Sequence, residues 1–228
     1  IIDLTESSNQ PLNCFNQRYY IIFNGEIYNY LEIKSELQNK GYFFRTSSDT
    51  EVVLNSYIEW GEKSLNKFNG MWSFIIWDNE KKELFVSRDR FGKKPLFYYY
   101  NGHSYVFSSE MKSIMPYIKS IKTSKNFDWM IRNPFLYEST ENTLIESIKS
   151  FPAGYFGKLD KNMKLKKTRF WNLLDNLVEV PSGYPDQVNQ FKDLFFDSCK
   201  LRLRSDANYA TLLSGGLDSS CISMTINE

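Results

Sequence analysis

Residues 208–220 read N-Y-A-T-L-L-S-G-G-L-D-S-S, and no other stretch restricts the fold so tightly. An apolar run, Tyr209 to Leu213, stops at Ser214-Gly215-Gly216. Leu217-Asp218-Ser219 follow, and then a helix-compatible tail from Ser220 to Ile226. Strand, glycine turn and helix N-terminus in that order make a receptor for phosphate. Glycines let the backbone approach an anion closely, successive N–H groups point into one concavity, and the helix dipole adds partial positive charge. Ser214 and Ser219 supply hydroxyl donors, and Asp218 can hold the Mg²⁺ that accompanies phosphate. No Lys follows the glycines, so this is not the loop spelled Gly, four spacers, Gly-Lys-Ser/Thr. The competing reading is an ordinary strand-to-helix turn.

The rest of the chain sets limits. Its 228 residues allow one large domain or two small ones with a real core. A net charge of +1 implies no general attraction to nucleic acid or to an acidic membrane. No apolar run approaches the ~20 residues of a membrane span. Cys14, Cys199 and Cys221 are odd in number and widely spaced, which argues for a reducing compartment and against a disulfide framework. With His103 the sole histidine, a His-based triad or a zinc site is disfavoured.

Periodicity predicts strands at residues 1–4, at Tyr19 to Phe23 and at Met71 to Trp77, the last buried on both faces. Further strands are expected at 83–87 and 96–100, with hairpin partners at 105–109 and between 155 and 170. Helices are expected after Asn29, from Asp49 as N-cap to Trp60, at 110–117, and from Asp186 as N-cap to Arg204. Phe191, Leu194, Phe195, Cys199 and Leu201 would form the inward stripe of the last helix. Trp60, Trp72 and Trp77 read as core. The mixed polar, Pro/Gly character of 172–185 marks a linker.

The spelling S-G-G-L-D-S resembles the pyrophosphate loop of the ATP pyrophosphatase superfamily. Other landmarks precede it in order: Ile1-Ile2-Asp3-Leu4, Asn24-Gly25-Glu26-Ile27-Tyr28-Asn29, Ser48-Asp49-Thr50-Glu51, the run Arg88 to Leu96, Ser109-Glu110-Met111-Lys112 and Phe151-Pro152-Ala153-Gly154. Together they resemble the glutamine-hydrolysing asparagine synthetases across essentially the whole chain. The resemblance implies an α+β N-terminal-nucleophile domain, an αββα sandwich of antiparallel sheets, over residues 1–171. It implies a linker at 172–185 and the opening strand and helices of an α/β ATP-pyrophosphatase domain over 186–228.

The resemblance also implies roles. Asn24 (side-chain amide) and Gly25 (backbone N–H) match the oxyanion hole for attack on the glutamine amide. Glu26, Asp49, Ile1 and Ile2 match glutamine-pocket positions, Asp49 pairing with the α-ammonium. Leu212, Ser214, Gly215, Gly216, Asp218 and Ser219 match contacts to ATP and its pyrophosphate, with Mg²⁺ held at Asp218 through that pyrophosphate. The run Arg88 to Arg90 would be a corner near the domain interface. The family's nucleophile is an N-terminal Cys activated by its own amino group, and none of the three cysteines matches it. It is expected before Ile1, in a fragment truncated at both ends and inactive alone, or is missing from this homologue.

The implied activity is glutamine-dependent, ATP-driven amidation of aspartate through β-aspartyl-AMP. Its substrates would be glutamine, aspartate and ATP, with no nucleic-acid or membrane partner, a possible homodimer and a cytoplasmic location. The alternatives are a β-lactam-synthetase-type adenylating ligase lacking glutaminase activity and a non-catalytic amidotransferase-like domain.

Overall fold

The apolar run Met71 to Trp77 forms the middle of β3 (Gly70–Asp78), and its two faces supply two cores. Trp72, Phe74 and Ile76 point one way, while Ile75 points the other, as the two-residue strand period requires. The computed structural model describes residues 2–137 and 140–227. β3 sits inside a six-stranded antiparallel sheet of order β1-β2-β3-β4-β8-β9. Its other strands are β1 (Leu12–Asn13), β2 (Tyr19–Ile27), β4 (Glu83–Arg88), β8 (Tyr155–Leu159) and β9 (Leu165–Arg169). A second antiparallel sheet orders β6 (Tyr105–Ser108), β5 (Phe97–Tyr100) and β7 (Ile148–Ser150).

Helices α1 (Tyr30–Asn39) and α2 (Asp49–Trp60) cover one face of the large sheet. Ile33 and Leu37 of α1 and Val52, Val53 and Leu54 of α2 join Ile21, Ile27, Trp72, Phe74 and Phe85 in the main core. Ile75, Val86, Leu96 and Phe151 form the second core, between the sheets. Short helices α3 (Met111–Ile114), α4 (Phe127–Arg132) and α5 (Pro134–Tyr137) follow β6, and α3 packs beside β5 and β6. The long α6 (Tyr184–Arg202) and α7 (Leu217–Asn227) close the chain and touch each other. The α+β sandwich of antiparallel sheets expected from the sequence is therefore present.

Several local expectations change. Residues 2–4 are not a strand: Asp3 has φ of 61°, outside the extended range, and its carboxylate accepts Thr5 and Ser47 N–H bonds. The strand expected to end at Phe23 runs on through Asn24-Gly25. β2 continues to Ile27, with Asn24 opposite Ser73 and Gly25 opposite Trp72. A side chain at Gly25 would put its Cβ 2.3 Å from the Met71 carbonyl oxygen and 2.8 Å from Trp72 Cα. We expect Gly25→Ala to destabilise the fold by at least about 3 kcal/mol, the upper range for overpacking, as read by urea unfolding.

Asp49 is the first residue of α2 and not its cap. Ser48 fills that role, its Oγ accepting from Thr50 N–H at 3.2 Å. Helix α6 begins before Asp186, because Pro185 suits a first helical turn. Its expected inward stripe is not buried: Phe191 and Leu194 are exposed, and no residue of α6 is buried. Of the three tryptophans read as core, only Trp72 is fully buried. Residues Tyr209 to Leu213 do not form a strand, since no other strand lies beside them among the described residues to take up their backbone bonds.

The corner after β4 is more tightly built than the sequence suggests. Asp89 is buried and accepts N–H bonds from Trp72, Phe91, Lys93 and Lys94, all within 3.2 Å. The Arg88 guanidinium donates to the carbonyls of Gly92, Lys94 and Phe151 and to Ser150 Oγ.

Candidate functional site

The candidate pocket residues gather at the C-terminal end of β2. Strand alternation places Asn24 and Glu26 on the face opposite Ile21, Phe23 and Ile27, whose side chains pack against the helices. Asn24 Nδ2 donates to Ser109 Oγ at 3.0 Å, fixing the orientation of the amide while leaving it a second N–H. Ser109 was a landmark of the sequence without a role; a contact across 85 positions of sequence is not legible there. A cleft of about 150 Å³ runs along this face, lined among others by Asn24, Ser73, Leu96, Phe107 and Ser109. That volume suits a molecule of a few heavy atoms. The larger concavity of about 1020 Å³ lies around Arg90, Phe91 and Trp171 and touches none of the candidate residues.

Asp49 reaches the same strand end from α2. Its Oδ2 accepts the Ile27 N–H at 2.9 Å, and only 4% of the residue is exposed. Burial, and then the neighbouring Glu26 charge, push the carboxyl up to about 6, against the lowering effect of the Ile27 and Thr50 amides. The loop before it is held by buried Glu51, which accepts the N–H groups of Arg45 and Thr46 and the Thr46 hydroxyl. Asp3 Oδ2 accepts the Ser47 N–H at 2.8 Å, so the N-terminal segment joins this loop. Ile2 is buried beside it in sequence; Ile1 lies outside the described residues.

The raised Asp49 carboxyl has a consequence for folding. The folded protein holds this proton more tightly than the unfolded chain, so the group favours folding at low pH. That contribution is complete below the ordinary value of 3.8 and is lost as pH rises through about 6. Across that window the stability of the native protein relative to Asp49→Asn should fall by about 3 kcal/mol, as read by urea unfolding at several pH values.

The second candidate site is the loop before α7. Gly215 has φ of +82°, a conformation that favours glycine, and the space around it is open. Ser214 Oγ and Ser219 Oγ stand 3.0 Å apart across the loop, and Ser219 Oγ also donates to the Gly216 carbonyl. Asp218 occupies the first turn of α7. Leu212 is 94% exposed. Two hydroxyls, a glycine turn and a helix start fit a phosphate group. Among the described residues no three His, Cys, Asp or Glu side chains form a metal cluster.

The two sites differ in surroundings: at the β2 end Ile27 and Asp49 are buried and Asn24, Gly25 and Glu26 half-buried, while residues 214–218 are exposed. Cys14 is elsewhere, its sulfur accepting the Tyr19 N–H and donating to Asn16 Oδ1. Among the described residues no helix is long and apolar enough to cross a membrane.

Comparison with known proteins adds to this geometry. The family model described as "Glutamine amidotransferase domain" matches residues 1–171. The chain belongs to the glutamine amidotransferase domain family. Residues 190–228 of this amidotransferase-family chain match the model described as "Asparagine synthase". The chain is 35% identical over 228 residues to asparagine synthetase [glutamine-hydrolyzing] 1 of Bacillus subtilis, covering all of this chain and 35% of that protein. It is 33% identical over 225 residues to asparagine synthetase B [glutamine-hydrolyzing] of Escherichia coli, covering 98% and 35% respectively. The chain thus spans about a third of the length of these two relatives.

Among solved structures, the glutamine phosphoribosylpyrophosphate amidotransferase of B. subtilis matches with a TM-score of 0.54 at 19% identity. That match covers 98% of this chain and 48% of the other. The allosteric regulatory enzyme of purine biosynthesis matches with a TM-score of 0.52 at 23% identity, covering 72% and 32%. At these identities the two likenesses show a shared fold.

Proposed function

We propose that the amidotransferase domain binds free glutamine at the C-terminal end of β2 and releases its amide nitrogen. The observation that carries this reading is the buried Asp49 carboxylate bonded to Ile27, at the end of the strand bearing Asn24, Gly25 and Glu26. A carboxylate has about four acceptor positions, so capacity remains for the α-ammonium of an amino acid. An enclosed charge pair there selects a free amino acid over a peptide-linked side chain, which has no ammonium to offer. Asn24 Nδ2 and the Gly25 N–H would stabilise the oxyanion that forms when the amide carbon is attacked. Glu26 would complete the pocket wall, together with the buried Ile2.

In the proposed second reaction, ATP lies on residues 212–219. Ser214, Gly215, Gly216 and Ser219 would receive the departing pyrophosphate, Asp218 would hold the Mg²⁺ that accompanies it, and Leu212 would touch the nucleotide. Aspartate would be adenylated on its side-chain carboxylate as pyrophosphate leaves, and ammonia from the first site would then attack the β-aspartyl carbonyl and displace AMP. The match of residues 190–228 to the asparagine synthase model supports this half of the reading.

The test is the pH dependence of glutamine binding by the full-length protein. Asp49 must be ionised to pair with the ammonium, and its carboxyl titrates at about 6. Affinity should be level above pH 7 and weaken about tenfold per unit below pH 6, as followed by calorimetry. A flat profile between pH 5 and 8 contradicts the assignment of Asp49.

A further inference from the structure

Residues 202–206, which join α6 to the phosphate-type loop, clasp the proposed glutamine pocket from outside. Arg204 makes a two-pronged pair with Glu32 of α1, its Nη1 on Oε2 at 2.7 Å and its Nη2 on Oε1 at 2.6 Å. The same Nη1 donates to the Tyr28 carbonyl at 2.8 Å. Arg202 lies over the Tyr28 ring, 4.7 Å from its centroid, and Asp206 Oδ2 accepts the Asp3 N–H at 2.8 Å. Two of these partners, Tyr28 and Asp3, adjoin residues that hold the proposed pocket. Tyr28 follows Ile27, whose N–H bonds Asp49, and Asp3 holds the loop before Asp49 through Ser47. Tyr30 lies near both Asp206 and Asp49, whose charges add to the effect of burial in raising its phenol.

The geometry is specific enough to transmit a constraint. A forked guanidinium–carboxylate pair fixes orientation as well as distance. The Tyr28 carbonyl anchors it to backbone, and the Tyr28 N–H is itself held by the Asn69 carbonyl at 2.8 Å. On the other side, residues 204–214 carry no regular structure and lead directly into Ser214. They are tied at the far end by Ser223 Oγ on Thr211 Oγ1.

We propose that Arg204 is a positioning residue for the glutamine site, so that glutamine occupancy and the ordering of residues 203–213 strengthen each other. This rests on the reading of the β2 end as a glutamine pocket. Coupling between two sites is reciprocal: whatever glutamine gains from the clasp, the clasp gains from glutamine. The loop at 214–219 then senses the state of the nitrogen-donor site through the nine residues, 205–213, that separate Ser214 from Arg204.

The test is hydrogen exchange of the full-length protein with and without L-glutamine, alongside glutamine affinity, for the native protein, Arg204→Ala, Glu32→Gln and the Arg204→Glu/Glu32→Arg exchange. Glutamine should slow exchange over 203–213 in the native protein. Arg204→Ala should bind glutamine roughly five- to tenfold more weakly, within the usual range of coupling between sites, and lose the glutamine-dependent protection of 203–213. Glu32→Gln, an exposed and conservative change, should act in the same direction, and the charge exchange should restore part of both effects. A merely structural contact would alter the unfolding midpoint without altering glutamine-dependent protection. Native protein that binds glutamine while 203–213 exchange unchanged, or Arg204→Ala and Glu32→Gln that both match it, overturns the coupling and leaves the pocket standing. Native protein that binds no glutamine overturns the pocket and the coupling together.

Discussion

Asp89→Ala is expected to lower the unfolding free energy by about 4 kcal/mol, the largest stability effect of any single polar substitution considered. Removing one partner of a buried hydrogen bond strands the other, at roughly 1–3 kcal/mol each. This carboxylate serves four backbone N–H groups, on Trp72, Phe91, Lys93 and Lys94. Water entering the vacated space would recover part of the loss, which keeps the sum below four full penalties. The damage should extend beyond the corner, because Trp72 packs in the main core and its indole N–H bonds Ser87 at 3.0 Å. Asp89→Asn should recover little, since an amide presents its NH₂ to N–H donors. Urea unfolding of the three proteins checks this; a loss under 1 kcal/mol for Asp89→Ala would mean the four amides find other partners.

Asp49→Asn should weaken glutamine binding by at least about 30-fold, and it should do so in a protein that folds as well as the native one at neutral pH. Removing one member of a buried, hydrogen-bonded charge pair costs about 2–5 kcal/mol of binding. The same substitution removes the penalty of keeping a carboxylate ionised where burial pushes it up to about 6. Stability and binding therefore move in opposite directions, a trade expected of a functional residue and not of a structural one. Calorimetric titration with glutamine at pH 8, together with urea unfolding at the same pH, reads both quantities. A loss of affinity under threefold would remove Asp49 from the pocket.

The sequence made the sandwich legible because its signals are local. The two-faced burial of Met71 to Trp77 follows from a run apolar at nearly every position, and the glycine at 61 stops α2 where the periodicity ends. What it hid are the contacts that only the folded chain creates. Asn24-Gly25 has the spelling of a hairpin turn, yet the partner strand runs so close to Gly25 that a side chain is excluded there. Asp49 has the spelling of a helix cap, yet Ser48 caps and Asp49 bonds across to Ile27.

The Arg204–Glu32 pair joins positions 172 apart, and no periodicity encodes it. Two further expectations that failed concern residues 184–213. The apolar stripe of α6 and the run Tyr209 to Leu213 each call for a neighbour to cover or pair with them; Phe191 and Leu194 stay exposed, and no strand pairs with 209–213 among the described residues. An amphipathic pattern states that a face seeks burial; it does not name what buries it.

The most direct test of the central claim is to map glutamine on the full-length protein by amide chemical-shift perturbation. The account predicts that the largest saturable shifts fall on Gly25, Glu26, Ile27 and Thr50, with the Asn24 side-chain amide among them, and that Asp49→Asn abolishes all of them. Shifts that cluster around Arg90, Phe91 and Trp171, or saturation that leaves the end of β2 unperturbed, would contradict it.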